Sequence, residues 1–469
     1  MQITRKDVLW NYGATFLKIA VSVLLLPFVL KMLPSETVGV WSVFMTITAF
    51  STMLDFGFGP TFSRNVSYIY SGVKALKTEG FEGVEGESIS IDYSLLKGVI
   101  KAMRWFYFRM SIVLFLLLAT FGTYYIRVLL KDYLGNHTEV YISWTLLLII
   151  NTYNLYTLYY DALLQGKGLI KKSKQIIIIG QTIYLILGIT LILNGKGLVA
   201  IISAQASSVL IIRWLSYKSF FTKETRQKLN EVIERSRKKI IKAIYPNAIK
   251  IGLTSLGAFM VQRSAIIIGS LYLPLTDIAS YGITMQLIAV LMGLGGIYTN
   301  SYLPKIAQLR VFQNNNAIKE LYLNGQFVLV FSYIICGLVL LIFGEAVLTL
   351  VGSKTPILPK SLLAVAIFIS FLECNHSIAG TILLSKNEVP FFKAALISGA
   401  ITVILLFAFF QFSNLGIWSM ILAPGIAQAA YQNWKWPIVV STELKITLRD
   451  VFNTFNRVIN LRNKTNYIN

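Results

Sequence analysis

Residues 322–343 read YLNGQFVLVFSYIICGLVLLIF and contain no charged side chain. A helix of about 20 apolar residues is long enough to cross the hydrocarbon core of a bilayer. Eleven further apolar stretches of similar length occur along the chain. The predicted spans lie at about 8–33, 38–62, 105–126, 140–164, 175–193, 198–217, 245–271, 278–302, 322–343, 359–384, 390–411 and 416–440. Because backbone groups in lipid must bond within their own segment, these stretches predict an all-α polytopic membrane protein of about 12 transmembrane helices.

The composition agrees with lipid as the solvent of much of the chain. Mean hydropathy is +0.65, and charged residues make up 14% of the 469 residues, whereas soluble proteins carry about 25%. The net charge of +22 does not indicate nucleic-acid binding, because the basic residues flank apolar spans, where anionic headgroups lie. The sequence has no P-loop, nucleotide fingerprint or zinc-ligand spacing, so we expect no enzyme, no cofactor and no metal.

The distribution of basic residues predicts the orientation of the chain. If the N-terminus is cytoplasmic, most of the 43 lysines and arginines fall on the cytoplasmic side, including ten from Arg213, near the end of the sixth span, to Lys242. Positive charge is enriched in cytoplasmic loops. An even number of spans returns the C-terminus to the same side. We therefore predict a multi-pass membrane protein with both termini in the cytoplasm.

The chain contains an internal repeat. The stretch from Leu163 to Trp214 resembles the stretch from Leu383 to Trp434 at an offset of about 220 residues. An even number of spans in each half predicts a parallel repeat about an axis along the membrane normal. The predicted parts are an N-terminal six-helix bundle at 1–217, a cytoplasmic amphipathic linker at 218–244, a C-terminal six-helix bundle at 245–441 and a basic cytoplasmic tail at 442–469.

Two amphipathic segments are predicted to lie on the inner leaflet. In the linker, Leu229, Val232, Ile233, Ile240, Ile241 and Ile244 follow helical spacing among basic residues. In the tail, Leu448, Val451, Phe452, Phe455 and Ile459 follow the same pattern. Such helices bind lipid headgroups and serve as anchors or connectors.

Charged side chains inside the spans are the first candidate functional residues. A charge at the bilayer centre costs about 2.5–3.5 kcal/mol on insertion scales, so it usually faces protein or water. Lys18 lies in the first span, and Lys250 and Arg263 lie in the seventh, which is its repeat partner. Three cations in equivalent helices predict a positively charged, substrate-binding cavity between the halves. The alternative is snorkelling to the interface, or a salt bridge to Asp55 or Glu373.

Span 2 contains a glycine- and proline-rich stretch that begins at Asp55. Gly57, Gly59 and Pro60 follow within five residues. Proline lacks a backbone donor and crowds the preceding turn, so the stretch predicts a break or kink. Broken helices line the substrate path of many transporters. We predict a hinge or cavity lining here; an ordinary helix end is the alternative.

Glu373 and His376 are three residues apart in span 10 and therefore share a helix face. An acid beside an imidazole in a membrane interior is a candidate for proton coupling. The alternative is a polar pair that holds helices together.

Span 4 is rich in tyrosine. Tyr153, Tyr156 and Tyr160 are spaced by three or four residues, and Asn154 lies among them. Aromatic rings have an apolar face and a polar hydroxyl, which suits contact with sugars. We predict that these four residues bind the sugar part of a substrate; an interfacial aromatic belt is the alternative.

The order of several motifs resembles a known family. The motifs are Asn11-Tyr12-Gly13, Leu33-Pro34-Ser35-Glu36-Thr37-Val38-Gly39-Val40-Trp41, Leu54-Asp55-Phe56-Gly57-Phe58-Gly59, Gln262-Arg263-Ser264-Ala265-Ile266-Ile267-Ile268-Gly269 and Tyr281-Gly282. Together they resemble the bacterial polysaccharide flippases, the O-antigen and capsule translocases of the multidrug, oligosaccharidyl-lipid and polysaccharide exporter superfamily. The resemblance covers nearly the whole chain, although the acidic loop at 79–92 departs from it.

The resemblance implies both a shape and an activity. It implies a V-shaped cavity between two six-helix bundles that opens alternately to either side. The substrate would be an undecaprenyl-pyrophosphate-linked oligosaccharide, flipped to the outer leaflet for surface polysaccharide assembly. A cationic cavity would match Lys18, Lys250 and Arg263. Membrane lipids, a proton or sodium ion and a polysaccharide polymerase are the implied partners. Two alternatives remain open: a multidrug or cation antiporter of the same superfamily, and a membrane-bound glycan transferase or polymerase.

Overall fold

The computed structural model describes residues 5–74, 91–311, 313–386 and 389–454. These residues form helices and their connections, and none of them is in a strand. The elements are α1 Arg5–Met32, α2 Ser35–Met53, α3 Phe58–Tyr70, α4 Tyr93–Leu117, a π-helical turn Leu118–Gly122, α5 Thr123–Leu129, α6 His137–Tyr156, α7 Tyr159–Gly166, α8 Ile170–Leu193, α9 Gly197–Phe220, α10 Lys223–Asn230, α11 Arg237–Gly269, α12 Leu275–Val311, α13 Asn315–Val351, α14 Lys360–Leu384, α15 Phe392–Phe412, α16 Trp418–Ala429 and α17 Gln432–Glu443.

The helices account for the predicted spans. Within the described residues, eight helices are long and apolar enough to cross a membrane, and the bent pair α2 and α3 would make nine. Each of the twelve predicted spans coincides with a helix or with consecutive helices. Spans 2, 4 and 12 are each two helices separated by a short break. The prediction of an all-α polytopic membrane protein is confirmed.

The chain divides into two compact units. The first comprises Met1–Phe259, Ser270–Ala279 and Val351–Thr355. The second comprises Met260–Gly269, Ser280–Leu350 and Pro356–Asn469. The predicted bundle boundaries at 217 and 245 stay a prediction.

Close helix packing in the first unit depends on small residues. A Cβ atom on Gly180 of α8 would lie 2.3 Å from Ile212 of α9. The hydroxyl of Ser208 donates to the Gly180 carbonyl over 2.8 Å. Small side chains let helices approach in the membrane, where a hydrogen bond between helices adds to the packing.

The second predicted span is broken between α2 and α3, which meet at an angle of 41°. Phe56 and Gly57 have positive φ values of 45° and 68°. The Gly59 N–H donates to the Asp55 carboxylate over 3.0 Å, which satisfies a free donor at the start of α3. Pro60 lies in the first turn of α3, where proline is tolerated. The left-handed residues, rather than Pro60, therefore make the break.

Gly57→Ala is expected to destabilise the protein by about 2 kcal/mol. About 1 kcal/mol comes from the left-handed backbone. A further 1 kcal/mol or so comes from displacing Ile251, because a Cβ atom would lie 2.5 Å from its side chain. Gly195→Ala is the matched control, since Gly195 has a φ of +72° and no atom within 4 Å of a Cβ. Denaturant unfolding of both variants in detergent measures the difference; equal losses would contradict the close contact at Gly57.

The linker differs from the single amphipathic helix that the spacing predicts. Helix α9 continues to Phe220 and α11 begins at Arg237, with the short α10 between them. Residues 231–236 are not helical. Lys97 Nζ donates to the Val232 carbonyl over 2.8 Å, and Arg235 Nη2 pairs with Asp92 Oδ2 over 2.6 Å. The Val232 carbonyl and the Arg235 guanidinium thus find their partners at the start of α4. The linker can therefore leave the helical conformation at these residues.

The second unit contains another span made of two helices, and its C-terminal segment is held by an ion pair between Asp450 and Lys319. Helices α16 and α17 are separated by two residues. Beyond α17, Thr447 and Asp450 bond each other's backbone N–H, the reciprocal arrangement of a helix N-terminus. The Thr447 N–H, with its hydroxyl and Lys319, lowers the pKa of Asp450 to about 2. Phe455 and Ile459 of the predicted tail helix lie outside the described residues.

Candidate functional site

A cavity of about 120 Å³ lies within the second unit. Its walls come from α11, α12, α14 and α16, and most of the lining side chains are apolar. Arg263 from α11 and Glu373 from α14 contribute its charged groups, while Gln262, Tyr281 and Ser370 contribute polar ones. A mostly apolar cavity with a few polar groups is typical of ligand sites. The structure thus places two predicted site residues, Arg263 and Glu373, in one cavity.

A row of hydrogen bonds ends at the Glu373 carboxylate. Gln428 Nε2 donates to both carboxylate oxygens, over 3.1 and 2.9 Å. Gln432 Nε2 donates to Gln428 over 2.8 Å, and Trp436 Nε1 donates to Gln432 over 3.2 Å. The three donors are spaced by four residues and bridge the break between α16 and α17. This row fixes the direction of the Gln428 amide toward the charged group.

His376 lies beside Glu373 on the same face of α14. Its Nδ1 atom is 2.9 Å from Asn433 Oδ1 and 3.8 Å from Glu373 Oε2. The first distance is that of a hydrogen bond, and the second is too long for one. The two side chains are therefore neighbours, as their spacing indicates. Their role in proton coupling stays a prediction.

A buried arginine organises a polar network in the first unit. Arg213 in α9 has only 5% of its surface exposed. Its Nε and Nη2 atoms donate to Asn154 Oδ1 over 3.0 and 2.7 Å. Its Nη1 atom pairs with Asp161 Oδ2 over 2.6 Å. Sequence reasoning missed this group because it counted Arg213 among the cytoplasmic basic residues at the end of the sixth span.

The internal repeat was a signal that could have identified Arg213. At the offset of 220 residues, Arg213 corresponds to Asn433. Arg213 joins α9 to α6, and Asn433 joins α17 to α14 through His376. Both positions thus hold a buried polar side chain that connects corresponding helices of the predicted halves.

The break between α2 and α3 belongs to the same unit as the arginine network. The Tyr107 hydroxyl of α4 donates to the Asp55 carboxylate. Tyr107 is fully buried, and its ring stacks on that of Tyr159 at 6.1 Å between centroids. Asp55 therefore links the broken span to α4 and, through Tyr107, to the start of α7. The predicted hinge has a defined set of partners.

The predicted sugar-binding residues separate into two groups. Tyr153 and Tyr156 line an apolar groove of about 480 Å³ between α4 and α6. Tyr160 instead packs on Tyr217, with ring centroids 5.5 Å apart. The side-chain oxygen of Asn154 accepts from Arg213. Because Thr157 and Leu158 interrupt the helix between α6 and α7, Tyr160 does not line the groove of Tyr153 and Tyr156.

The remaining predicted cations lie on the first unit. Lys18 belongs to α1, but its side chain lies outside the described residues. Lys250 is exposed on α11. Among the residues that the structure describes, no group of three or more His, Cys, Asp or Glu side chains could hold a metal ion.

Solved structures with the same fold are membrane transporters. An inward-facing multidrug resistance MATE family transporter of the MOP superfamily has a TM-score of 0.62 and 15% identity, covering 97% of this chain and 99% of its own. The Lipid II flippase MurJ, in an inward closed conformation, has a TM-score of 0.61 and 14% identity, covering 96% and 91%. A MOP superfamily transporter from Pyrococcus furiosus, described as having a binding pocket of reverse polarity, has a TM-score of 0.57 and 15% identity, covering 95% and 100%.

The apolar spans and the shared fold therefore define a multi-pass membrane protein. More particularly, the fold is that of the MOP superfamily transporters, which include both MATE transporters and MurJ. No protein-family model and no curated protein matches the sequence. Identities near 15% show the fold and leave the substrate to be argued from the site.

Proposed function

We propose that the protein flips an undecaprenyl-pyrophosphate-linked oligosaccharide across the bacterial inner membrane. The protein moves this substrate from the cytoplasmic to the outer leaflet by alternating access. The flipped oligosaccharide is then used to assemble surface polysaccharide. The observation that carries this proposal is Arg263, a guanidinium in the wall of a mostly apolar cavity. Arginine suits phosphate because its planar group presents paired donors. The proposed roles of Lys18 and Lys250 are further contacts with the pyrophosphate.

The sugar hydroxyls and the negative charge of the substrate each affect how it crosses the membrane. Sugar hydroxyls stranded in bare lipid would each cost a few kcal/mol, so a polar path is needed. Tyr153, Tyr156, Tyr160 and Asn154 are the proposed sugar contacts, although Asn154 already accepts from Arg213. An inside-negative potential favours outward movement of each negative charge by about 2.3 kcal/mol per 100 mV. A polysaccharide polymerase would consume the flipped product.

Two features support a conformational cycle. The break at Asp55, Gly57, Gly59 and Pro60 is the proposed hinge, because its backbone already departs from a straight helix by 41°. Glu373 and His376 are the proposed site of coupling to protons or sodium ions, because a carboxylate at a cavity wall can change its charge or bind a cation.

A cation antiporter is the second candidate, and Glu373 favours it. The carboxylate lies in the same cavity as Arg263, and organic cations bind to acidic groups. MATE transporters share the fold. The positive side chain in the cavity opposes cation binding, whereas the anion of a lipid-linked sugar would pair with it.

Reconstituted vesicles separate these candidates. The purified protein is expected to move a labelled lipid-linked oligosaccharide between leaflets. It is expected not to transport a fluorescent organic cation, whether or not a proton or sodium gradient is present. Recovery of the labelled substrate chemically unchanged separates flipping from a transferase or polymerase activity. Transport of the cation without movement of the lipid-linked sugar would overturn the proposal in favour of an antiporter.

A further inference from the structure

A larger cavity lies in the first unit. Its volume is about 840 Å³. Its lining comes from α1, the start of α8 and the end of α9, including Trp10, Lys172 and Lys218. Among the side chains that the structure describes, none of those proposed for transport lines it. The cavity therefore needs an explanation of its own.

One end of this cavity is positively charged. Lys172 lies in the first turn of α8, and Lys218 lies in the last turn of α9. Both side chains are exposed. Leu169 at the N-cap of α8 offers no side-chain acceptor to the first amides of the helix. Two ammonium groups beside a helix N-terminus form an environment that favours an anion such as phosphate.

Most of the remaining cavity wall is apolar, and Gln175, Ser219 and Thr222 are its uncharged polar side chains. Ile176 and Ile179 follow Lys172 along α8, and Leu215 precedes Lys218 by nearly one turn of α9. Because α8 starts where α9 ends, the lysines lie toward the loops and the apolar side chains lie toward the interior of the spans. The amino group of Lys218 lies 3.8 Å from the ring centroid of Trp214. A tryptophan beside a lysine is typical of the membrane–water interface.

We propose that this cavity binds an anionic phospholipid of the cytoplasmic leaflet. The phosphate contacts Lys172 and Lys218, and the upper part of an acyl chain packs against Ile176, Ile179 and Leu215. The positive-inside orientation places these loops in the cytoplasm, where anionic lipids attract basic residues. A soluble phosphate ester would leave the apolar wall without a partner. The site would act as a fixed lipid contact, separate from the transport path.

Native mass spectrometry of the purified full chain tests this proposal. Phosphatidylglycerol and phosphatidylcholine with identical acyl chains are the two probes. We expect at least one phosphatidylglycerol to bind with about tenfold preference. A lysine near an anionic surface contributes about fivefold to affinity, so Lys172→Gln with Lys218→Gln should weaken phosphatidylglycerol binding by about 30-fold. Lys172→Arg with Lys218→Arg should retain the preference.

The control removes the same charge elsewhere. Lys223 and Lys305 are exposed and do not line the cavity, so Lys223→Gln with Lys305→Gln should bind phosphatidylglycerol as the unaltered chain does. Equal binding of both lipids, or full binding by the Lys172 and Lys218 double glutamine variant, would overturn the proposal. Competition by glycerol phosphate would indicate a soluble ligand instead. Displacement by undecaprenyl pyrophosphate would assign the cavity to the transported substrate. Oligosaccharide flipping is measured separately, so either proposal can fail alone.

Discussion

Arg263→Ala is expected to reduce transport of lipid-linked oligosaccharide about 100-fold. The guanidinium lies in the wall of the cavity in the second unit. Two hydrogen bonds from a charged donor to phosphate contribute about 3 kcal/mol together, because each is worth about 1.5–3 kcal/mol and such pairs are not fully additive. A loss of that size is about 100-fold in affinity. Cells that depend on the protein should accumulate lipid-linked sugar in the inner leaflet and lose surface polysaccharide.

Two controls separate charge from geometry. Arg263→Lys keeps the charge but loses the paired donors, so transport should fall to an intermediate level. Arg109→Ala removes an arginine that lies 4.2 Å from the Trp105 ring centroid and does not line the cavity; transport should be unchanged. Normal surface polysaccharide with Arg263→Ala, at normal protein level, would contradict a role for this cation. A gain in cation export by the same variant would favour the antiporter.

The fold was predictable because lipid imposes strong rules on sequence. A stretch such as 322–343 has few alternatives to a membrane-spanning helix. The positions of the helix breaks were harder to predict from the sequence. Pro60 marked the broken span, but the turn itself lies at Phe56 and Gly57. Proline in a first helical turn causes no disruption, and a positive φ at Phe56 depends on packing that local sequence does not encode.

The candidate site was predictable in part, because a charge in an apolar span is visible in the sequence while its partner is not. Arg263 and Glu373 were both identifiable, yet their shared cavity depends on four helices. The spacing of Tyr153, Tyr156 and Tyr160 assumed a continuous helix. The interruption between α6 and α7 turns Tyr160 toward Tyr217 instead. Residue spacing predicts a common face only where the helix is unbroken.

Arg213→Ala is expected to lower the free energy of unfolding by about 3 kcal/mol. The arginine side chain is 6% exposed and pairs with Asp161, which is 28% exposed. Removing one partner of a buried pair costs about 3–5 kcal/mol, because the other charge remains without compensation. Partial access of water to Asp161 places the loss at the lower end of that range. Removing the Arg213 side chain also deprives the Asn154 side-chain oxygen of two hydrogen-bond donors. Denaturant unfolding in detergent, followed by tryptophan fluorescence, measures the change.

A double variant and a surface control test whether the loss of stability comes from the buried ion pair. Arg213→Leu with Asp161→Leu removes both charges together, so it should recover much of the stability that Arg213→Ala loses. Arg226 lies 5.4 Å from the Tyr217 ring centroid and is exposed, so Arg226→Ala should change the unfolding free energy by less than about 1 kcal/mol. If Arg213→Ala and Arg226→Ala are equally stable, the ion pair with Asp161 does not hold α9 against α7, and the polar network contributes specificity rather than stability.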